Sequence, residues 1–431
     1  MAATASAYPA GTVTSVMRTS AQKEGAFRLL ESKRVKSEEI TNAMASSAAT
    51  ACGENRLVFV AVDQTDLTFV DHRNVRGLGP DNARMSKTKR ATQVMNALAL
   101  DSRGVPIGLV DQQWWLRPEE KAPTWKQDKR PAQERESYSW VRTLDACDER
   151  IVQHGRDCRA WYVCDRGADL SALLATSLDK GRLFTIRAAQ NRVVRDSRGR
   201  KRKLFTKLQR QSVVGTLSVS IPRGPNRRPR RARCEVRFVS DVEVRLGGKF
   251  HSLSAVSVRE VGHVPDSRQR ICWRLLTSAS VVSFADAMTV IRSYTFRWRV
   301  EEFHRTWKSG GCNVERSQLR SYAALRRWAT ILAAVATRVE RLKRLSRATP
   351  DVDALTEISQ AEIDLAIAYT EDKRHKPGDT ISLKQAVRLI AMVGGYMGRN
   401  SDGPPGSITL KRGLERLAPA LKALENFKRN G

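Results

Sequence analysis

The chain has 431 residues, enough for two or three domains, and its 76 Lys and Arg against 45 Asp and Glu leave a net charge of +31. Solubility needs only a few surplus charges, so an excess this large points to a polyanion, with nucleic acid the default partner. No apolar run approaches a membrane-spanning length, and the seven cysteines, odd in number and never spaced Cys-x-x-Cys, argue against structural zinc and a disulfide framework.

Residues 1 to about 20 are small and polar and are expected to be disordered. They lack a basic segment followed by an apolar core, so the expectation is a cytoplasmic protein without a signal peptide. Gln22 to Ala51 reads as two short helices around Glu31-Ser32-Lys33-Arg34. Leu57 to Val62 is a continuous apolar run, the pattern of a buried central strand, and Asp63 is expected to end it. Taken alone, an aspartate there is as well explained by a turn or a helix cap as by catalysis. Gln93 to Leu100 and Val105 to Asp111 predict a hairpin closed by Asp101-Ser102-Arg103-Gly104. Trp114 and Trp115 follow at its exit, and Glu119 to Ser139, charged and containing Pro123 and Pro131, reads as a loop. Arg159 to Cys164 is another buried-type strand ended by an aspartate, Asp165. A helix over Leu170 to Leu178 and a strand over Leu183 to Arg187 come next.

Between Arg187 and Arg270 the composition changes. Arg192, Arg195 and the run from Arg198 to Lys203 precede Arg223 and the cluster from Arg227 to Arg233. Alternating segments over Gly215 to Ile221 and Cys234 to Val239 read as antiparallel strands between these charges. The stretch is expected to be a basic antiparallel β insertion, at about 190–270, offering a nucleic-acid surface. Ile271 to Thr277 predicts a last strand, followed by a helix from Ser283 to Lys308.

That helix carries the most informative stretch, Tyr294 to Lys308, which has no Gly or Pro and apolar residues at helical spacing. At about 100° per residue, Tyr294, Arg297, Glu301 and Lys308 share one face, with Phe296, Val300, Phe303 and Trp307 opposite. On its own, a glutamate among cations is an ordinary solvated ion-pair face. With two strands ending in aspartates it becomes part of a pattern, because neighbouring strands would set Asp63 and Asp165 together and a packed helix could bring Glu301 to them. Tyr322 to Leu345 predicts a long amphipathic helix, Thr349 to Asp379 is more acidic, and Ser382 to Gly395 and Leu410 to Phe427 read as helices around a Pro/Gly turn.

Tyr294-x2-Arg297-x3-Glu301-x6-Lys308 resembles the Tyr-Arg-Glu-Lys signature of bacterial cut-and-paste DDE transposases, the Tn-five-like subgroup of insertion-sequence family four. Cys164-Asp165-Arg166-Gly-Ala-Asp169 resembles the family's second-aspartate motif and Val62-Asp63-Gln64-Thr65 its first. The Trp114-Trp115, Leu383 to Val387 and Gly394-Gly395-Tyr396 segments are also similar, so the resemblance runs from about Gln22 to the end. Gln64 and Gly167 depart from the usual Thr and Glu.

The resemblance implies an α/β fold with a ribonuclease-H-like core, the basic insertion and an α-helical C-terminal domain. The expected division is 1–55 for a shortened DNA-binding region, 56–345 for catalysis and 346–431 for self-association. Asp63, Asp165 and Glu301 would hold two Mg²⁺ ions, with Mn²⁺ able to substitute, roughly 4 Å apart. Double-stranded DNA, both transposon ends and target, would be cut through a hairpin and joined within a homodimeric synaptic complex at the bacterial nucleoid. Arg187, Arg192, Tyr294, Arg297, Arg305 and Lys308 would contact DNA, and Trp273 would fill the space beside a flipped base. Because the region before Asp63 is shorter than the family's end-recognition domain, the alternative is a non-transposing inhibitor that pairs with a full-length relative. A ribonuclease-H-like nuclease without strand transfer is the third reading.

Overall fold

The computed structural model describes residues 1, 5, 11–17, 19–70, 77–80, 89–118, 131–195, 199–221, 228–262, 264, 270–399 and 401–430. Among the described residues, helices α1 (Val13–Val16), α2 (Ser20–Glu31) and α3 (Ser37–Cys52) lead into β1 (Leu57–Val70). Then come β2 (Gly79–Pro80), β3 (Lys89–Leu100), β4 (Pro106–Trp115), α4 (Ser139–His154), β5 (Arg159–Cys164), α5 (Ser171–Asp179) and β6 (Leu183–Arg187). The basic region forms β7 (Val193–Arg195), β8 (Lys201–Lys203), α6 (Leu204–Gln209), β9 (Gly215–Ile221), β10 (Arg230–Leu246) and β11 (Lys249–Glu260). β12 (Cys272–Thr277) precedes α7 (Phe284–Thr295), α8 (Trp298–Arg305), α9 (Tyr322–Ala348), α10 (Gln360–Thr370), α11 (Leu383–Val393) and α12 (Ser407–Asn430).

Among the described residues, twelve strands join one mixed sheet in the order β2-β3-β1-β5-β6-β12-β11-β10-β7-β8, with β4 on β3 and β9 on β10. The β1–β5 and β5–β6 pairs are parallel and the others antiparallel. The strands of the basic region therefore extend the same sheet, through β12, that carries β1, β5 and β6.

Alternation along the parallel strands divides their side chains between two cores. Val58, Val60, Val62, Tyr162, Cys164, Phe184 and Ile186 face one way, onto Trp140, Leu144 and Ile151 of α4 and Leu173 and Leu174 of α5. Phe59, Ala61, Trp161 and Val163 face the other way, onto Val290, Ile291, Val300, Phe303 and Trp307 of the α7–α8 segment. The first half of α9 joins that second core, while Val339, Leu342 and Leu345 at its far end pack on α10, α11 and α12.

Several expectations are corrected. Asp63 does not end its strand: β1 runs on to Val70, because its antiparallel partner β3 continues past the point where the parallel partner β5 stops. The N-terminal segment is not disordered throughout, since Val13 and Val16 are buried and the Trp328 indole donates to the Gly11 carbonyl at 2.8 Å. The predicted helix from Ser283 to Lys308 is three pieces: α7, then α8, then a π-helical turn over Thr306–Gly310. The first break falls at Phe296. Its ring packs on Phe59 at 5.1 Å and over Gly104, where an added Cβ would lie 2.7 Å from the ring. The Gly104 carbonyl also takes the Arg299 Nε–H at 3.2 Å, so the hairpin turn is wedged against the junction. Of the stretch expected to be a loop, Glu119 to Ser139, residues 119–130 lie outside the described ones, and helix α4 begins at its last residue and runs over a segment to which no element is assigned from sequence.

Candidate active site

The parallel register positions the two aspartates. The last β1–β5 pair is Val62 with Cys164, and the last β5–β6 pair is Cys164 with Ile186. The next residues, Asp63, Asp165 and Arg187, therefore form a row across three strands, with neighbours about 5 Å apart. Val62, Cys164 and Ile186 point into the α4 side, so the row lies on the α7–α8 side. Helix α8 packs on β1 and β3 there through Val300 and Phe303, with the Trp307 indole beyond it donating to the Ala329 carbonyl at 2.9 Å.

Glu301 comes from this helix, half-buried, with Oε1 accepting from Arg297 Nη1 at 2.8 Å. Asp165 caps the short turn that follows β5, its Oδ1 accepting from the Gly167 N–H at 2.7 Å. Asp63 Oδ1 accepts from the Gln64 N–H at 3.0 Å. Burial foremost, then the charges of Asp165 and Glu301, push the Asp63 carboxyl up to about 7 against the opposing charge of Arg297. The two other carboxylates are thus close enough to act on Asp63 through space. Among the described residues, however, no three His, Cys, Asp or Glu side chains close into a cluster that would enclose an ion.

The remaining site residues are distributed unevenly. Arg187 is half-buried and donates to the Cys272 carbonyl at 3.2 Å. Lys308 Nζ reaches the Asp66 carbonyl at 2.6 Å and Glu315 at 3.5 Å, so it lies along β1 beyond Asp63. Tyr294 is not on an open face: it is 2% exposed, its ring packs edge-on against Trp273 at 5.5 Å, and the Arg297 guanidinium that binds Glu301 lies 5.9 Å from it. Arg297 is also buried and stacks over the exposed Trp298 at 4.7 Å. Arg192 is not free for DNA here: its guanidinium is held by the carboxylate of Asp169, which is itself 2% exposed and caps the Ala189 and Gln190 N–H groups. Arg305 is exposed, in a recess shared with Tyr396 and Asp402 of the C-terminal region.

Sequence reasoning missed His304, which is buried behind Asp63 with Nδ1 3.9 Å from Asp63 Oδ2. Burial, and secondarily the charge of Lys308, pushes this imidazole down to about 3, so it is neutral and the pair is not a salt bridge. It also missed Asn96, whose polar side chain interrupts the apolar run from Val94 to Leu100 and is wholly buried.

Residues 58–338 match the family model of the transposase DDE domain. Residues 334–427 match that of the transposase Tn5 dimerisation domain. The two matches meet on α9, whose halves belong to different cores. The first match spans more than half of the chain, which therefore belongs to the DDE transposase family and carries a transposase dimerisation domain.

Proposed function

We propose that this DDE transposase cuts and joins DNA by the cut-and-paste route of the Tn-five-like subgroup, with Asp63, Asp165 and Glu301 as its catalytic carboxylates on a ribonuclease-H-like core. What carries the reading is the shared level of Asp63 and Asp165 on adjacent parallel strands, with Glu301 acting on the same charge balance from α8. Enzymes of this family depend on divalent metal. The donor set here is all carboxylate oxygen, which suits hard cations, and Asp63 carries negative crowding that a divalent cation would relieve. Two Mg²⁺, or Mn²⁺ in their place, would supply activation of a water or 3′-hydroxyl nucleophile and stabilisation of the leaving oxygen.

The chain's own residues do the rest. Asp63 and Asp165 hold their carboxylates at one level of a rigid sheet, and Glu301 faces them from a helix anchored by Val300, Phe303 and Trp307. Arg187, Arg297 and Lys308 supply positive charge around the carboxylates for the phosphates of a bound end, and Arg305 offers a further contact beside the C-terminal region. Arg192, through Asp169, fastens the chain after β6 and acts on the site only through that loop. Trp273, half-buried and supported by Tyr294, is assigned to the space beside an extruded base during hairpin formation. The strands β7 to β11 provide the basic surface, and the dimerisation domain brings two copies together on paired ends. Among the described residues no helix is long and apolar enough to cross a membrane.

Cleavage of an end-bearing duplex with Mg²⁺ or Mn²⁺ tests the assignment. Asp63→Asn, Asp165→Asn and Glu301→Gln should each abolish strand cleavage while DNA affinity stays near wild type. Normal cleavage by any one of them removes that residue from the catalytic set.

A further inference from the structure

His304 belongs to a chain of buried polar side chains that ends at Asp63. Thr330 of α9, Gln112 of β4, Asn96 of β3 and His304 of α8 are all buried. Trp114 Nε1 and Thr330 Oγ1 approach Gln112 Oε1 at 3.0 and 2.9 Å, Gln112 Nε2 approaches Asn96 Oδ1 at 2.8 Å, and Asn96 Nδ2 lies 3.0 Å from His304 Nε2.

The direction of this chain is fixed at one end. An indole N–H can only donate, so the Gln112 atom facing Trp114 is its oxygen. The Gln112 amide nitrogen then donates to Asn96, and the Asn96 amide nitrogen donates to His304. His304 Nε2 must accept, so the single proton of the neutral ring sits on Nδ1, the nitrogen that faces Asp63 Oδ2 at 3.9 Å. Turning either amide over would set N–H against N–H at Trp114 or strand a buried polar atom.

We propose that His304 is a positioning residue for Asp63: the Trp114–Gln112–Asn96 chain locks its tautomer so that Nδ1–H orients the Asp63 carboxylate for a divalent cation. This rests on the reading of Asp63 as a metal ligand. At 3.9 Å the contact is too long for a hydrogen bond, and a movement of about 1 Å by the carboxylate closes it. Orienting partners of this kind typically change metal affinity or activity by about 10–100-fold when removed.

The test is Mn²⁺ binding to the full chain without DNA, read by electron paramagnetic resonance of the free ion. His304→Gln keeps an acceptor for Asn96 but has no N–H where Nδ1 stands, and should weaken Mn²⁺ binding by about 10–100-fold with unchanged thermal melting in chelator. His304→Asn places an amide near the Nδ1 position and should recover most of the affinity. Unchanged binding in Asp63→Asn would remove the metal-site reading itself. Binding lost in Asp63→Asn but unaltered in His304→Gln would overturn the positioning role alone. Should the His304 variants melt early, ¹⁵N-histidine spectra of the wild-type chain decide: a proton on Nδ1 of His304 supports the proposal, and one on Nε2 overturns it.

Discussion

Replacing Asp63 by Asn should stabilise the metal-free protein, and only above a definite pH. The Asp63 carboxyl stands at about 7 in the folded chain against 3.8 for an aspartate free in water. Below 3.8 it is protonated in both states and contributes nothing to the folding balance. Between 3.8 and about 7 the unfolded chain releases its proton while the folded chain keeps it, so stability falls as pH rises. Above about 7 the full cost is present and no longer changes. Three pKa units correspond to a ceiling of about 4 kcal/mol, which side-chain relaxation and water entry reduce. The assay is thermal unfolding of wild type and Asp63→Asn in chelator at pH 4, 6 and 8. The variant's advantage should be near zero at the lowest pH and grow to several degrees at the highest, since about 1 kcal/mol moves the midpoint of a large domain by roughly 2 °C. Divalent cation should narrow the gap by binding only the wild type. Glu301→Gln should behave oppositely, because it leaves the buried Arg297 guanidinium without its carboxylate. An advantage for Asp63→Asn that is equal at all three values would refute the charge-crowding argument.

DNA affinity should fall steeply with salt: if the basic strands and the site cations neutralise about six phosphates, the log–log slope should be roughly −5, and a slope near −1 would contradict the role given to the net charge. Trp273→Ala should nick DNA yet stall before or during hairpin formation, because the ring no longer offsets the few kcal/mol of base extrusion; denaturing gels giving equal hairpin yields would return Trp273 to a packing role.

Both aspartates were legible because each follows a run of apolar residues that only a buried strand accommodates. Their alignment was not, since it depends on Val62 pairing with Cys164, a register that two short apolar runs leave unspecified. Helical spacing brought out the Val300, Phe303 and Trp307 face correctly. The same projection groups Tyr294 with Arg297 and Glu301, and the Arg297 guanidinium does lie 5.9 Å from the Tyr294 ring, but it gives no sign that Trp273 covers that ring and leaves it 2% exposed. Helix α4, which follows the stretch expected to be a loop and is assigned no element from sequence, carries a readable signal in Trp140, Val141, Leu144, Cys147 and Ile151, all buried at helical spacing. Val13 and Val16 carry too little apolar surface for sequence alone to separate packing from disorder. Asn96 and Gln112 were visible as polar residues in apolar strands, but which partners satisfied them depends on contacts across four elements.

The order of Glu301 and Glu302 ties these levels together. The charge of the first acts on Asp63; the second is turned to α9, pairing with Arg344 there and with Arg299 of its own helix at 3.3 Å. One turn on, the Thr306 hydroxyl donates to Glu340, a buried carboxylate of α9 that also takes the Ser407 hydroxyl of α12 at 2.6 Å and pairs with Lys343. Helix α8 is therefore held on one side by apolar packing on the sheet and on the other by the half-buried pairs of Glu302, while the buried Glu340 holds the turn that follows it. Apolar packing fixes how closely the helix approaches the sheet but resists rotation weakly. A buried network pays heavily for any unsatisfied member, so it resists rotation about the helix axis, the motion that would turn Glu301 away from Asp63. Placing that restraint partly on α12 makes the position of Glu301 depend on the packing of the region that matches the transposase dimerisation domain.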